Sequence, residues 1–413
     1  MQKNKDLIIF TYDYPFGISE KTFIDYEISK LSEDFKNIEI INQKTFRENS
    51  ILNSNNQNIK LNPNFSKKLN IFYLTYYFLT KILFQKIFWE EIFLIIWKKN
   101  FIRKLKMCII ELCSALILLK FLKININKEN NREIIFYSFW SNFTLITFSM
   151  LKDKFPNSKF IARSLGSDLN GYLDNDNYVP YKRIKFSKLN KIILLGEYQK
   201  KLLSDLKLDL QNVKICPLGV NEQKISANPL SYEKITFLSC GSLIKIKNVD
   251  LMIHFLKKLS KKTSKKIEFI LIGSGKLENS LLNLLRNNTN FTYEYIRYVK
   301  DLVEFINKKN IHFFLNFSSQ EGMPFTVMET MSCGIPTIAS NIDANKYLVK
   351  NNGYILNLED YDISSDKIID QIIFDLENIQ NYKNYCENSN RFINQNLINK
   401  DCYNTFLNIL KNI

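Results

Sequence analysis

An unbroken apolar run at residues 7–10 follows a charged start and gives way to a loop, residues 11–19, holding Pro15 and Gly17. A run this short, closed by turn formers, predicts a buried β-strand. Apolar positions recur at helical spacing over residues 20–31, and a second apolar run follows at 38–41. Strand, loop, helix, strand is the opening of a parallel α/β sheet, whose ligands gather outside the carboxyl ends of the strands. The alternation resumes at residue 133, with strands predicted at 134–137, 160–162, 191–195 and 213–216 and helices at 143–151 and 198–206.

Residues 221–231 are polar, contain Pro229 and show no periodicity, which marks a linker. Beyond them the alternation starts afresh, with strands at 235–239, 267–272, 313–317 and 337–339 and helices at 249–259, 277–285, 301–307 and 325–333. A last amphipathic helix is expected at 403–413. The chain is therefore expected to be α/β, with one unit over residues 1–225, a second over 232–398, and a terminal helical piece at 399–413.

Residues 66–123 differ in kind. Eleven Lys or Arg stand against Glu90, Glu91 and Glu111 in a segment otherwise dominated by aromatic and aliphatic residues. Its longest charge-free run, residues 69–80, is shorter than the roughly 18–20 apolar residues a spanning helix needs. On a helical wheel Lys67, Lys68, Asn70, Thr75, Lys81, Gln85 and Lys86 share one arc, leaving Phe72, Tyr73, Tyr76, Leu79, Leu83 and Phe84 largely outside it; Arg103, Lys104, Lys106, Glu111 and Ser114 gather likewise. With Trp89 and Trp97 nearby, residues 66–125 are a candidate membrane-interface element, or equally a set of helices packed on the sheet.

The 413 residues carry 57 Lys and Arg against 41 Asp and Glu, a net charge of +16. Such a balance suits an anionic partner: nucleic acid, an anionic membrane surface or a phosphorylated small molecule. No nucleic-acid partner is expected, since the basic residues are mixed into aliphatic segments or interleaved with acids and no recognised nucleic-acid motif occurs. Two histidines, His254 and His312, cannot build a His-based metal cluster. Seven scattered cysteines without a Cys-x-x-Cys pair fit a reduced cytoplasmic chain, and a four-residue apolar run is too short for a secretory signal.

Glu321 and Glu329 stand eight positions apart across a predicted strand-to-helix turn. The first turn of that helix offers backbone N–H groups to an anion or hydroxyl, and a carboxylate accepting from two vicinal hydroxyls is a standard hold on a ribose. After the first strand of the second unit, Gly241 permits a close turn, and Lys245 or Lys247 can place an ammonium on a phosphate. Gly273 and Gly275 mark a further tight turn.

Taken in order, Gly241-Ser242-Leu243 with Lys247-Asn248, then Gly273-Ser274-Gly275, then residues 321–329 with 331–339, resemble the retaining glycosyltransferases of family 4. More loosely, so do Tyr14-Pro15-Phe16-Gly17 with Glu20, the stretch from Arg163 through Gly166 to Asp168, and residues 217–220. The resemblance implies the GT-B fold, two Rossmann-like doubly wound domains facing across a cleft, with the C-terminal helix returning to the first. It implies that Glu329 holds the donor ribose, that Glu321 contacts the transferred sugar and that Lys247 neutralises the donor diphosphate. Gly241, Ser242, Lys245, Gly273, Gly275, Gly322, Met323, Phe325 and Thr326 would complete the donor site. Asp168 would join Glu321 and Lys247 as a catalytic residue, and Gly17, Glu20, Arg163 and Gly166 would stand on the acceptor side. Three departures are visible: Ser242 replaces a usual Arg, Leu165 a usual His, and Asp343-Ala344 with Tyr347 a usual Gly-Gly and acidic residue.

The resemblance implies a metal-independent transferase that moves a sugar, with retention, from a nucleotide diphosphate sugar to a lipid-linked glycan acceptor in capsule, O-antigen or related surface polysaccharide synthesis. It would work in the cytoplasm, on the inner face of the membrane. A sugar-nucleotide epimerase of the same fold and a non-catalytic scaffold of a glycan assembly complex are the alternatives.

Overall fold

Strands rich in Ile, Leu and Phe, with few polar interruptions, are buried on both faces, as parallel strands between helices must be: Leu7, Ile9 and Phe10 have no exposed surface. The computed structural model describes residues 5–44, 58–61, 71–125, 133–171, 176–206, 208–225 and 233–413. Lys67, Lys68, Asn70 and Pro229 lie outside the described residues. The chain forms two compact units, Met1–Pro217 with Tyr403–Ile413, and Leu218–Cys402.

In the first unit a seven-stranded sheet runs β3-β2-β1-β4-β5-β6-β7. Its strands are β1 (Asp6–Thr11), β2 (Asn37–Asn42), β3 (Ile59–Leu61), β4 (Ile134–Ser138), β5 (Lys159–Ser164), β6 (Lys191–Leu194) and β7 (Val213–Ile215), paired in parallel throughout. Strand order reverses between β1 and β4, so the loops after these two strands frame the switch point. The helix Asn399–Lys411 joins this unit from Tyr403 on: Tyr403 donates to Asp34 at 2.6 Å, and the Phe406 and Tyr137 rings lie 5.0 Å apart.

Helices α1 (Ile18–Asp34), α2 (Ile71–Thr80), α3 (Lys86–Ile95) and α4 (Phe101–Asn125) belong to the same unit. The single wheel drawn from residue 67 to 86 is broken: α2 ends at Thr80, a one-turn 3-10 helix covers Ile82–Phe84, and α3 begins only at Lys86. Nor do the polar residues of α4 form one solvated face. Lys104 is buried against Asp176 at 2.8 Å, Ser114 is buried, and Glu111 pairs with buried Lys185 at 2.6 Å, because α4 sinks Cys108, Leu112, Ala115, Leu118 and Leu122 at helical spacing and carries these neighbours inward. Among the described residues no helix is long and apolar enough to cross a membrane.

The second unit repeats the plan with six parallel strands: β8 (Lys234–Cys240), β9 (Lys266–Ile272), β10 (Thr292–Ile296), β11 (Phe313–Asn316), β12 (Thr337–Ser340) and β13 (Gly353–Leu356). They run β10-β9-β8-β11-β12-β13, which puts the switch point between β8 and β11. The first unit ends earlier than residue 225. Val220 bridges Ile398 in parallel and is buried in the core of the second unit, so the chain from Leu218 on is anchored there.

Candidate active site

The loops after β8 and β11 flank the switch point of the second unit, and hydrogen bonds sew them together. Ser319 N donates to Ile246 O at 2.8 Å, and Asn248 Nδ2 donates to Phe317 O at 2.8 Å. Asn248 is in the left-handed region with φ 48°, a conformation Asn adopts more readily than bulkier residues, and it turns the chain from the short 3-10 helix Lys245–Lys247 into the helix Val249–Lys262. Lys247 is thereby held over the β11 loop. Its Nζ lies 2.5 Å from Glu321 Oε1, which also accepts from Ser318 Oγ at 2.7 Å.

The loop after β9 is laid directly on the loop after β8. Leu243 N donates to Ser274 O at 2.9 Å and Leu277 N to Leu243 O at 3.0 Å. A Cβ at Gly273, where φ is +146°, would fall 1.9 Å from Gly241 O, and one at Gly275 would fall 2.5 Å from Leu243 O. These two glycines are required by loop packing, whatever they do for a ligand. Gly241 differs, since a Cβ there would meet only Lys247 Cε, at 3.9 Å. Ser242 and Lys245 are exposed on the same loop.

Glu329 lies on the helix Phe325–Ser332, half-buried, and its carboxylate has no hydrogen-bond or ion-pair partner among the described residues. Burial, then the charge of Asp301, pushes its pKa from 4.5 up to about 7. At the end of β8, burial and then the Glu329 charge raise the Cys240 thiol to about 12 while Lys247 opposes the rise. Pro324 caps the helix without a side-chain hydrogen bond. Its carbonyl takes the N–H groups of Val327 and Met328, whereas the amides of Met323 and Thr326 have no partner among the described residues. Gly322 and Phe325 complete this turn.

The raised carboxyl has a consequence for stability. Its folded-state pKa of about 7 exceeds the ordinary 4.5, so the stabilising proton is fully present below about 4.5 and lost as pH rises to about 7. Glu329→Gln is thus expected to be about 2 kcal/mol more stable than the parent at about pH 8, discounting for the part water reaches, and to lose that advantage towards acid. Urea unfolding at both pH values measures it; a variant less stable at alkaline pH would contradict the raised carboxyl.

In the first unit the chemistry of the anticipated residues differs from expectation. Glu20, expected on the acceptor side, is buried and spent on the backbone: it accepts from the amides of Tyr12 at 2.8 Å, Asp13 at 2.6 Å and Tyr14 at 2.6 Å, and from the Trp140 indole. It fixes the loop after β1 and ties it to the residues after β4. Gly17 sits on the same loop, its N–H on Asp13 O at 2.7 Å. Arg163 is a core residue, 1% exposed, with Nη1 2.7 Å from Glu27 Oε2, and cannot face an acceptor. Asp168 accepts from the amides of Ser141 at 2.8 Å, Leu165 at 3.0 Å and Gly166 at 2.7 Å. Burial raises its pKa and those three donors oppose the rise; the carboxylate holds the loop after β5 to the residues after β4. Trp140 and Ser318 were not anticipated, and Asn248 was read only as part of the Lys247-Asn248 motif, without its role in the turn.

Residues 220–391 match the model of the glycosyl transferases group 1 family. The matched segment lies within the second unit, Leu218–Cys402. Over 113 residues the chain is 29% identical to a UDP-Gal:alpha-D-GlcNAc-diphosphoundecaprenol alpha-1,3-galactosyltransferase of Escherichia coli, covering 24% of this chain and 29% of that one. Over 105 residues it is 33% identical to the O-antigen biosynthesis glycosyltransferase WclY of Escherichia coli, covering 25% and 28%. The chain thus spans about three-tenths of the length of these curated relatives. HepE of Anabaena, solved with UDP and glucose, aligns over 99% of this chain and 100% of its own with a TM-score of 0.65 at 11% identity, which establishes a shared fold. The matched segment contains the Lys247–Glu321 pair, Glu329 and both glycine loops.

Proposed function

We propose that the chain transfers a hexosyl or related sugar, with retention at the anomeric carbon, from a nucleoside diphosphate sugar to a lipid-linked glycan of a surface polysaccharide, at the inner face of the cytoplasmic membrane. The observation that carries the proposal is the half-buried Glu329 carboxylate, without a partner among the described residues, on the helix that follows the loop holding the Lys247–Glu321 pair. Glu329 accepts from the vicinal hydroxyls of the donor ribose. Lys247, with the amides of Met323 and Thr326, meets the diphosphate and takes up the negative charge that grows on it as the bond to the anomeric carbon breaks. Glu321, oriented by Lys247 and Ser318, contacts hydroxyls of the departing sugar. With this cation and these amides on the leaving group, the transfer proceeds without a metal ion. Uridine is the first candidate base, because one relative is named for UDP-galactose and a structural neighbour holds UDP.

The test incubates the full chain with a panel of radiolabelled nucleoside diphosphate sugars and membranes, with and without EDTA, and follows label in the lipid fraction and the anomeric configuration of the product. Transfer from one donor, unaffected by EDTA and with retained configuration, is expected. Release of an epimerised sugar nucleotide would instead establish the epimerase, and no turnover with any donor would overturn the proposal.

A further inference from the structure

Ten of the eighteen large hydrophobic residues exposed among the described residues fall between Phe72 and Ile102. Helices α2 and α3 each bury one face, through Tyr77 on α2 and Phe88 and Ile95 on α3, and both pack against α4. Their outer faces look away from α4 together, and those faces are apolar where a surface helix is ordinarily polar. Phe72 is 83% exposed, Phe84 79%, Phe93 81%, Trp97 92% and Ile102 81%.

Six exposed cations are set among these side chains: Lys81 and Lys86 at the break between α2 and α3, Lys98 and Lys99 at the turn into α4, and Arg103 and Lys106 on its first turns. Two exposed carboxylates stand near them, Glu90 and Asp176, the latter paired with buried Lys104; Glu91 is buried and takes the Tyr178 hydroxyl. Beside the patch opens a groove of about 740 Å³ lined by Trp89, Phe93, Leu94 and Ile184 together with Glu90, Glu91 and exposed Arg183.

We propose that the outer face of α2 and α3, with the turn Trp97–Asn100, docks on an anionic lipid surface, its aromatic side chains entering the headgroup boundary and its cations meeting lipid phosphates. Charge and composition decide for lipid over protein: protein interfaces are depleted in Lys, whereas interfacial helices combine Trp, Phe and Leu with Lys and Arg. Trp next to two lysines is the composition of a membrane boundary, where an indole sits at headgroup depth and ammonium groups reach the phosphates. The proposal names the surface that brings the chain to its acceptor, but the docking stands on these side chains alone and survives failure of the transfer assay.

The full chain is sedimented with vesicles of phosphatidylcholine alone and of phosphatidylcholine with phosphatidylglycerol, at low and high salt. Binding to the anionic vesicles, weakened by salt, is expected for the parent. Phe93→Glu with Trp97→Glu should lower the partition coefficient about tenfold or more, and Lys98→Glu with Lys99→Glu should weaken binding to anionic vesicles selectively. Both pairs are exposed, so unfolding midpoints should stay at the parent value. As a measurement without substitution, tryptophan fluorescence of the parent should be quenched by bromine-labelled acyl chains. No binding to anionic vesicles, unchanged binding of the Phe93/Trp97 variant, or a parent dimer that this variant dissolves would each overturn the proposal, the last in favour of a protein interface.

Discussion

Arg163→Ala is expected to destabilise the first unit by about 3–5 kcal/mol, the cost of leaving a buried charge without its partner. Arg163 is 1% exposed and its Nη1 sits 2.7 Å from Glu27 Oε2, while the Tyr137 hydroxyl donates to the other Glu27 oxygen at 2.9 Å. Its guanidinium lies 5.7 Å from the Phe139 ring and 4.8 Å from that of Phe406, so it also braces the C-terminal helix against β4 and its following loop. Alanine would strand Glu27 in that interior and open a cavity beside two aromatic rings. Denaturant unfolding measures the loss, and the double variant Arg163→Met with Glu27→Met should recover most of it, because the two charges stabilise little beyond each other's desolvation. A loss below about 1 kcal/mol for the single variant would show that water reaches the pair.

Lys247→Ala is expected to raise the barrier of sugar transfer by about 2–4 kcal/mol, roughly two to three orders of magnitude in rate. Two effects act together. Under the proposed mechanism the cation on the growing phosphate charge is lost, and Ser242 on the same loop supplies no second one. Glu321 also loses its ion pair and keeps Ser318 Oγ, at 2.7 Å, as its recorded hydrogen-bond donor. The effect should appear in kcat more than in donor KM, since the charge Lys247 meets is larger in the transition state than in the bound donor. Steady-state rates on the donor identified by the panel separate the two. Equal loss in binding and none in turnover would make Lys247 a binding residue only.

The loops that carry the candidate donor-site residues were legible because their position follows from topology. Lys247, Glu321 and Glu329 sit on or just beyond the loops after β8 and β11, and a parallel sheet presents such loops at its switch point whatever the details of packing. The environments of Arg163, Glu20 and Asp168 were not legible, for one shared physical reason. A charged side chain near a loop can face solvent or turn back to satisfy backbone amides or an internal ion, and spacing does not distinguish the two. Glu20 takes three backbone amides and Asp168 another three, and only the folded chain displays them.

The elements missed in the fold have causes as specific. Strand β10 is an edge strand with Thr292 and Tyr293 exposed, so its apolar pattern is faint. Strand β13 opens on Gly353, whose missing Cβ would stand 2.2 Å from Thr337 O, and a glycine at a strand start reads as a turn. The helix Ile379–Asn396 is rich in Asn and buries Tyr382, Cys386, Ser389 and Ile393 on a narrow face. Residues 71–86 break at Lys81 because Ile82 is drawn into the core beneath α2 and α3, a tertiary demand that helical periodicity does not carry.

The central claim is that Glu329 grips the ribose of a nucleoside diphosphate in the second unit. Calorimetric titration of the full chain with UDP, and with its analogue lacking both ribose hydroxyls, tests it directly, with Glu329→Gln alongside. Hydrogen bonds to a charged group contribute about 1.5–3 kcal/mol, so the parent should bind UDP at least about tenfold more tightly than the analogue, and the variant should lose that preference. Equal affinity of the parent for both ligands, or no affinity for either, would contradict the account.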